Sequence, residues 1–139
     1  MPLDPGLTAA YEKAQYVVFG EPELVLRVGE PNSDLDELLE AEGADTAAYV
    51  TAANPRGEPS SHWKNELATA ALHETQTAAG YACYAGEGRD PEGRWGAEPS
   101  MLIVGISRAD AEAVGRVFGQ NAIVFVRKGG APELVVLAS

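Results

Sequence analysis

Ala47-Ala48-Tyr49-Val50-Thr51-Ala52-Ala53-Asn54-Pro55-Arg56-Gly57 is an apolar run that stops abruptly in an amide, a proline and a guanidinium. The run over 47–53 is too short for a stable helix and suits a central strand. Pro55 and Gly57 break it. A helix over 61–79 follows, capped by Ser60-Ser61 and closed by Gly80. Trp63, Leu67, Ala70, Ala71 and Ala78 share one of its faces, which is assigned to the core. Residues 81–85 resume a strand. Strand, helix and strand in this order predict a right-handed crossover joining parallel strands.

Upstream, residues 7–14 read as a helical lead-in. Tyr16–Phe19 and Glu23–Val28 read as strands, with Gly20 and Pro22 marking the turn between them. Asn32 or Ser33 caps a helix over 34–42 that buries Leu35, Leu38 and Leu39 and ends at Gly43. Downstream, residues 86–98 are rich in Gly, charge and Pro and read as a long loop. Ser100–Ile106 is a clear strand. Ser107 and Asp110 resemble a capping box for a helix over 108–118 that buries Ala111, Val114, Val117 and Phe118. Ala122–Arg127 and Glu133–Leu137 then form a hairpin around Gly129-Gly130. The order β-β-α-β-α-β-β-α-β-β predicts a single-domain α/β sandwich over residues 1–139 with a mixed sheet.

The chain has 139 residues, 45% hydrophobic and 22% charged, which is a globular composition. No apolar run reaches the ~18 residues of a membrane span, and the N-terminus lacks the features of a secretory signal. The lone Cys83 excludes an internal disulfide and a multi-cysteine metal site. Cytoplasm is the expected compartment. The formal charge of −11 opposes nucleic acid and anionic membranes as partners. Residues 1–66 carry 13 acidic against 4 basic side chains, helped by the acidic run 34–42. That run reads first as a solvated helix face and second as an acidic docking surface.

Topology brings the polar segments to one edge. Asn54 and Arg56 follow the strand 47–53. If strand 100–106 runs antiparallel to 81–85, Glu98-Pro99-Ser100 begins at the same edge. Helix 108–118 then returns Gln120-Asn121 to it. Clefts beyond strand ends are common ligand sites, and the start of helix 61–79 adds a positive dipole end. Arg56 and Arg94 offer forked donors for an anion. Asn54, Asn65, Gln120 and Asn121 can orient a small polar or anionic molecule, and Trp95 offers a stacking surface. Glu98 is the first candidate acid/base and His62 the second. Each has a bland counterpart: strand termination for Asn54-Pro55, surface ion pairs for the arginines, capping for Glu98 and Gln120-Asn121, and a core lid for Trp95.

Other chemistry is set aside. His62 and Glu66 are four apart, but His73 lies ~16 Å further along the helix at ~1.5 Å per residue, so the histidines share no metal. A solvent-facing His62–Glu66 pair is expected instead. Gly86-Glu87-Gly88 lacks the rest of a dinucleotide fingerprint, and no phosphate-binding loop motif occurs. No metal or cofactor is expected.

The strand ending Thr51-Ala52-Ala53-Asn54-Pro55, then Asn65, Trp95 with Glu98-Pro99-Ser100, and Phe118-Gly119-Gln120-Asn121-Ala122-Ile123 form an ordered pattern. With Ala10-Tyr11 and Tyr16, this pattern resembles a bacterial family of uncharacterised proteins, the domain-of-unknown-function family 3293. The resemblance implies one compact α/β domain and draws attention to the polar edge. It implies no activity. Two functions follow from the residues: a small-ligand-binding domain at that edge, hydrolytic or transferring if it is an enzyme, or a non-enzymatic module using its acidic half. A protein partner, or a homodimer through the final strand, belongs with the second.

Overall fold

The computed structural model describes residues 4–93 and 96–137. Helix α1 (Pro5–Lys13), capped by Asp4, leads into strands β1 (Gln15–Val18) and β2 (Leu24–Leu26). Helix α2 (Ser33–Glu42) and strand β3 (Thr46–Thr51) follow. Asn32 accepts from the Leu35 amide and Gly43 ends α2 in the left-handed conformation, so both caps are those the sequence names. A tight turn over Pro55–Gly57 precedes helix α3 (His62–Ala78) and strand β4 (Ala82–Arg89). Strand β5 (Glu98–Val104), helix α4 (Arg108–Val117), β6 (Ala122–Arg127) and β7 (Glu133–Val136) complete the order.

The α/β architecture stands, but the sheet is not mixed. Among the described residues, seven strands lie in the order β2-β1-β4-β5-β3-β6-β7, and every pairing is antiparallel. The crossover through α3 does leave β3 and β4 running the same way. It also leaves a one-strand gap between them, and β5 fills that gap, antiparallel to both. The long loop is shorter than expected because β4 runs on to Arg89 and β5 starts at Glu98. Gly86 and Gly88 are strand residues. A Cβ on Gly86 would lie 1.8 Å from the Val17 carbonyl oxygen, so glycine here permits close approach of backbone in a curled sheet. At the far edges, the Gly29 amide donates to the Pro132 carbonyl at 2.9 Å, which ties the end of the β1–β2 hairpin to the start of β7.

Alternation along the strands feeds two cores. Ala48, Val50, Met101, Ile103 and Phe125 pack beneath Leu72 of α3 and Ala111 of α4. Ala47, Tyr49, Leu102, Val104 and Val124 face the opposite side, with Leu35 and Leu39 of α2. Burying each large aliphatic contributes about 1.5–3 kcal/mol.

Two helix faces differ from expectation. The buried side of α3 is Asn65, Ala68, Thr69, Leu72 and Gln76, while Trp63 and Leu67 are 67% and 55% exposed and Ala70, Ala71 and Ala78 face solvent. Leu72 and the small Ala68 pack against the core beneath the sheet, which leaves the bulkier Trp63 and Leu67 facing outward. On α4, Ala111 is buried and Val117 is 79% exposed. Among the described residues, no helix is long and apolar enough to cross a membrane.

Candidate functional site

Asn54 is the hub of the polar edge. It adopts a left-handed conformation (φ 46°, ψ 62°), which asparagine tolerates better than most residues. Its Oδ1 accepts from the Ser60 amide and from Asn65 Nδ2, both at 2.9 Å. Its own backbone N–H donates to Asn65 Oδ1 at 2.9 Å. Its Nδ2 donates to Glu98 Oε2 at 2.7 Å. One side chain therefore joins the end of β3, the first turn of α3 and the start of β5.

The neighbouring strands are pinned to one another. Thr51 Oγ1 donates to the Pro99 carbonyl at 2.7 Å and accepts from the Ala53 amide at 3.0 Å. Arg56, also left-handed (φ 60°), donates its backbone N–H to the Gly119 carbonyl at 2.7 Å. Gln120 Nε2 donates to the carbonyls of Ala53 and Phe118, each at 3.2 Å. Only the amide nitrogen of Gln120 can serve two carbonyls, so its Oε1 points elsewhere. Asn121 Nδ2 donates to the Tyr11 hydroxyl at 3.4 Å.

Thr51, Asn54 and Gln120 rim a cavity of about 60 Å³ on the α2 side of the sheet, at the strand ends where Tyr11 and Ala14 come in from α1. Tyr16 and Tyr49 form its aromatic wall, their rings edge to face at 5.4 Å. Both hydroxyls donate to backbone carbonyls: Tyr16 to Tyr11 at 2.5 Å, and Tyr49 to Val17 at 2.7 Å. Burial pushes both phenols up, so they stay protonated. Burial likewise raises Tyr11, opposed by the Asn121 hydrogen bond and reinforced by the Glu98 charge.

Glu98 lines the cavity. Burial raises its carboxyl above the usual range, and the Asn54 hydrogen bond opposes that shift. Its second oxygen, Oε1, has no hydrogen-bond partner among the described residues.

The structure thus joins Asn54, Asn65 and Glu98 by hydrogen bonds and ties Gln120 to the Ala53 carbonyl beside them, with Asn54, Glu98 and Gln120 lining the cavity; Asn65 stands behind Asn54, and Asn121 bonds to Tyr11. Two expected members stand apart. The Arg56 side chain is exposed and does not line the cavity. His62 pairs with Glu66 at 2.9 Å on the solvent side of α3, also away from the cavity. Arg94 and Trp95 lie outside the described residues. The first turn of α3 supplies Asn65 to the cluster, and Ser61 caps it by accepting from the Lys64 amide at 3.1 Å. Among the described residues, no group of His, Cys, Asp and Glu is arranged to hold a metal ion.

Sequence reasoning passed over Tyr49, and it weighed Tyr11 and Tyr16 only as pattern residues. The available signal was a tyrosine inside an otherwise small, apolar strand, whose buried hydroxyl must find a partner.

A family model described as a protein of unknown function, DUF3293, matches residues 50–123. That span includes Asn54, Asn65, Glu98, Gln120 and Asn121, and excludes Tyr11, Tyr16 and Tyr49. No curated protein and no solved structure matches the chain.

Proposed function

Because the chain belongs to the DUF3293 family, whose description assigns no function, we propose a role from the site itself: binding of a small polar molecule in the Glu98 cavity, with Glu98 as its acid/base group. One observation carries this reading. Glu98 is held through Oε2 by Asn54, while Oε1 is left without a partner at the cavity wall. Glu98 is half-buried, and a groove that leaves one of its acceptors open suits a ligand donor.

A carboxyl raised by burial ionises nearer neutrality, which favours proton transfer to or from a bound substrate. Hydrolysis or group transfer fits such a group. The exposed Arg56 side chain does not line the cavity, which removes one of the expected supports for an anionic ligand.

The acidic-module reading draws less support. Asp36 accepts from the Gly129 amide at 2.9 Å, Glu40 pairs with Lys128, and Glu42 accepts from Tyr84. These acids have partners within the chain.

A thermal-shift screen of small polar metabolites tests the proposal, run on wild type, Glu98→Gln and Arg56→Ala. Ligands that stabilise wild type and Arg56→Ala but not Glu98→Gln support the cavity site. Stabilisation that disappears in Arg56→Ala and persists in Glu98→Gln would move the site elsewhere.

A further inference from the structure

The hydrogen-bond inventory of the cavity is one-sided. The hydroxyl hydrogens of Tyr16 and Tyr49 are engaged by the carbonyls of Tyr11 and Val17. Ser100 Oγ donates to the Glu98 carbonyl at 2.9 Å. Both Gln120 Nε2 hydrogens are engaged by carbonyls. What these side chains retain are acceptors: Glu98 Oε1, Gln120 Oε1 and the hydroxyl oxygens. Beside them stand two side-chain donors, the second Asn54 Nδ2 hydrogen and the hydroxyl of Tyr11, which itself accepts from Asn121, and no Lys, Arg or His lines the cavity among the described residues.

Resting on the cavity reading above, we infer that the ligand carries a compact planar cation rich in N–H donors, of the amidinium or guanidinium type, held by Glu98 Oε1 and Gln120 Oε1 against the Tyr16 and Tyr49 rings. An acceptor-rich lining leaves its lone pairs unpaired with a carboxylate or phosphate and repels it. A planar cation satisfies several acceptors at once and is attracted to aromatic faces. The size agrees. A water needs about 10–15 Å³ on this measure, so 60 Å³ takes a group of roughly four heavy atoms. A cation also compensates a buried carboxylate, and burial is what raises Glu98.

Acetamidinium, acetamide and acetate share one shape and differ in charge and donor count, so they serve as probes. Each is titrated into the ¹⁵N- and ¹³C-labelled full chain and followed by NMR at the Gln120 side-chain amide, the Gly88 and Ser100 amides and the Glu98 carboxyl. Acetamidinium should bind about tenfold or more tighter than acetamide, the scale of a charge-assisted hydrogen bond, and acetate should not bind. In Glu98→Gln the preference for acetamidinium over acetamide should vanish. In wild type, acetamidinium should lower the Glu98 carboxyl pKa while acetamide leaves it in place, so the charge dependence is read even if Glu98→Gln fails to fold. Acetamide or acetate binding as tightly as acetamidinium would overturn the cationic assignment and leave the cavity site standing. No response at the cavity to any of the three would overturn both.

Discussion

Asn54 combines an unfavourable backbone with four hydrogen bonds, and the two contributions separate by substitution. Alanine removes the side-chain bonds and tolerates φ 46° poorly, whereas glycine removes the bonds and keeps the backbone. Asn54→Ala should destabilise the protein by about 2–4 kcal/mol in urea unfolding. Asn54→Gly should recover about 1 kcal/mol of that loss. Equal losses would place the whole effect in the hydrogen bonds. Glu98 supplies a pH signature. Its folded carboxyl is raised, so the folded state binds the extra proton between the two pKa values. That contribution is fully present below the unfolded value of about 4.3 and is lost as pH rises through the folded value. The stability of Glu98→Gln relative to wild type should therefore rise between pH 4 and pH 8, measured by paired urea melts. A constant difference would contradict the raised carboxyl. Asn54, Glu98 and Gln120 were legible because chain order alone carries them to one edge. Tyr49 was not, because its hydroxyl answers to the Val17 carbonyl, which only the curl of the sheet brings within reach.

At the scale of elements, α3 misleads the eye because its composition is small and even. Alanine and threonine occur on both sides, and the bulky Trp63 and Leu67 suggest a core face that packing rejects. Leu72 is fully buried, so Leu72→Ala should cost about 2–5 kcal/mol. Leu67→Gln and Trp63→Gln should stay within about 0.5 kcal/mol of wild type. Comparable losses at all three positions would mean that α3 packs by its expected face. Strand boundaries were misjudged at Gly86 for a related reason: glycine signals a loop in sequence and here allows a strand to be approached closely. Gly86→Ala forces a Cβ against the Val17 carbonyl, a backbone atom. A loss of about 2 kcal/mol or more is expected, together with altered exchange of the amides around Val17. The caps on α2, α3 and α4 were readable because a serine or asparagine acts through its immediate neighbours.

Over the whole molecule, the order of elements was legible and the order of strands was not. Local patterning reports where a strand is, whereas its neighbours depend on pairings across 40 or more residues, such as Thr51 with Ser100. The same placement of β5 between β3 and β4 bears on how the protein is made. A chain leaving the ribosome exposes β3, α3 and β4 before the strand that joins them exists. The N-terminal hairpin waits as well, since β1 pairs with β4. Nascent chains halted at Gly96 should thus be digested by protease as readily as unfolded protein, and chains halted well past Leu137 should resist. Synthesis delivers the two neighbours of β5 before β5 itself, so folding on the ribosome is held back until the keystone strand arrives.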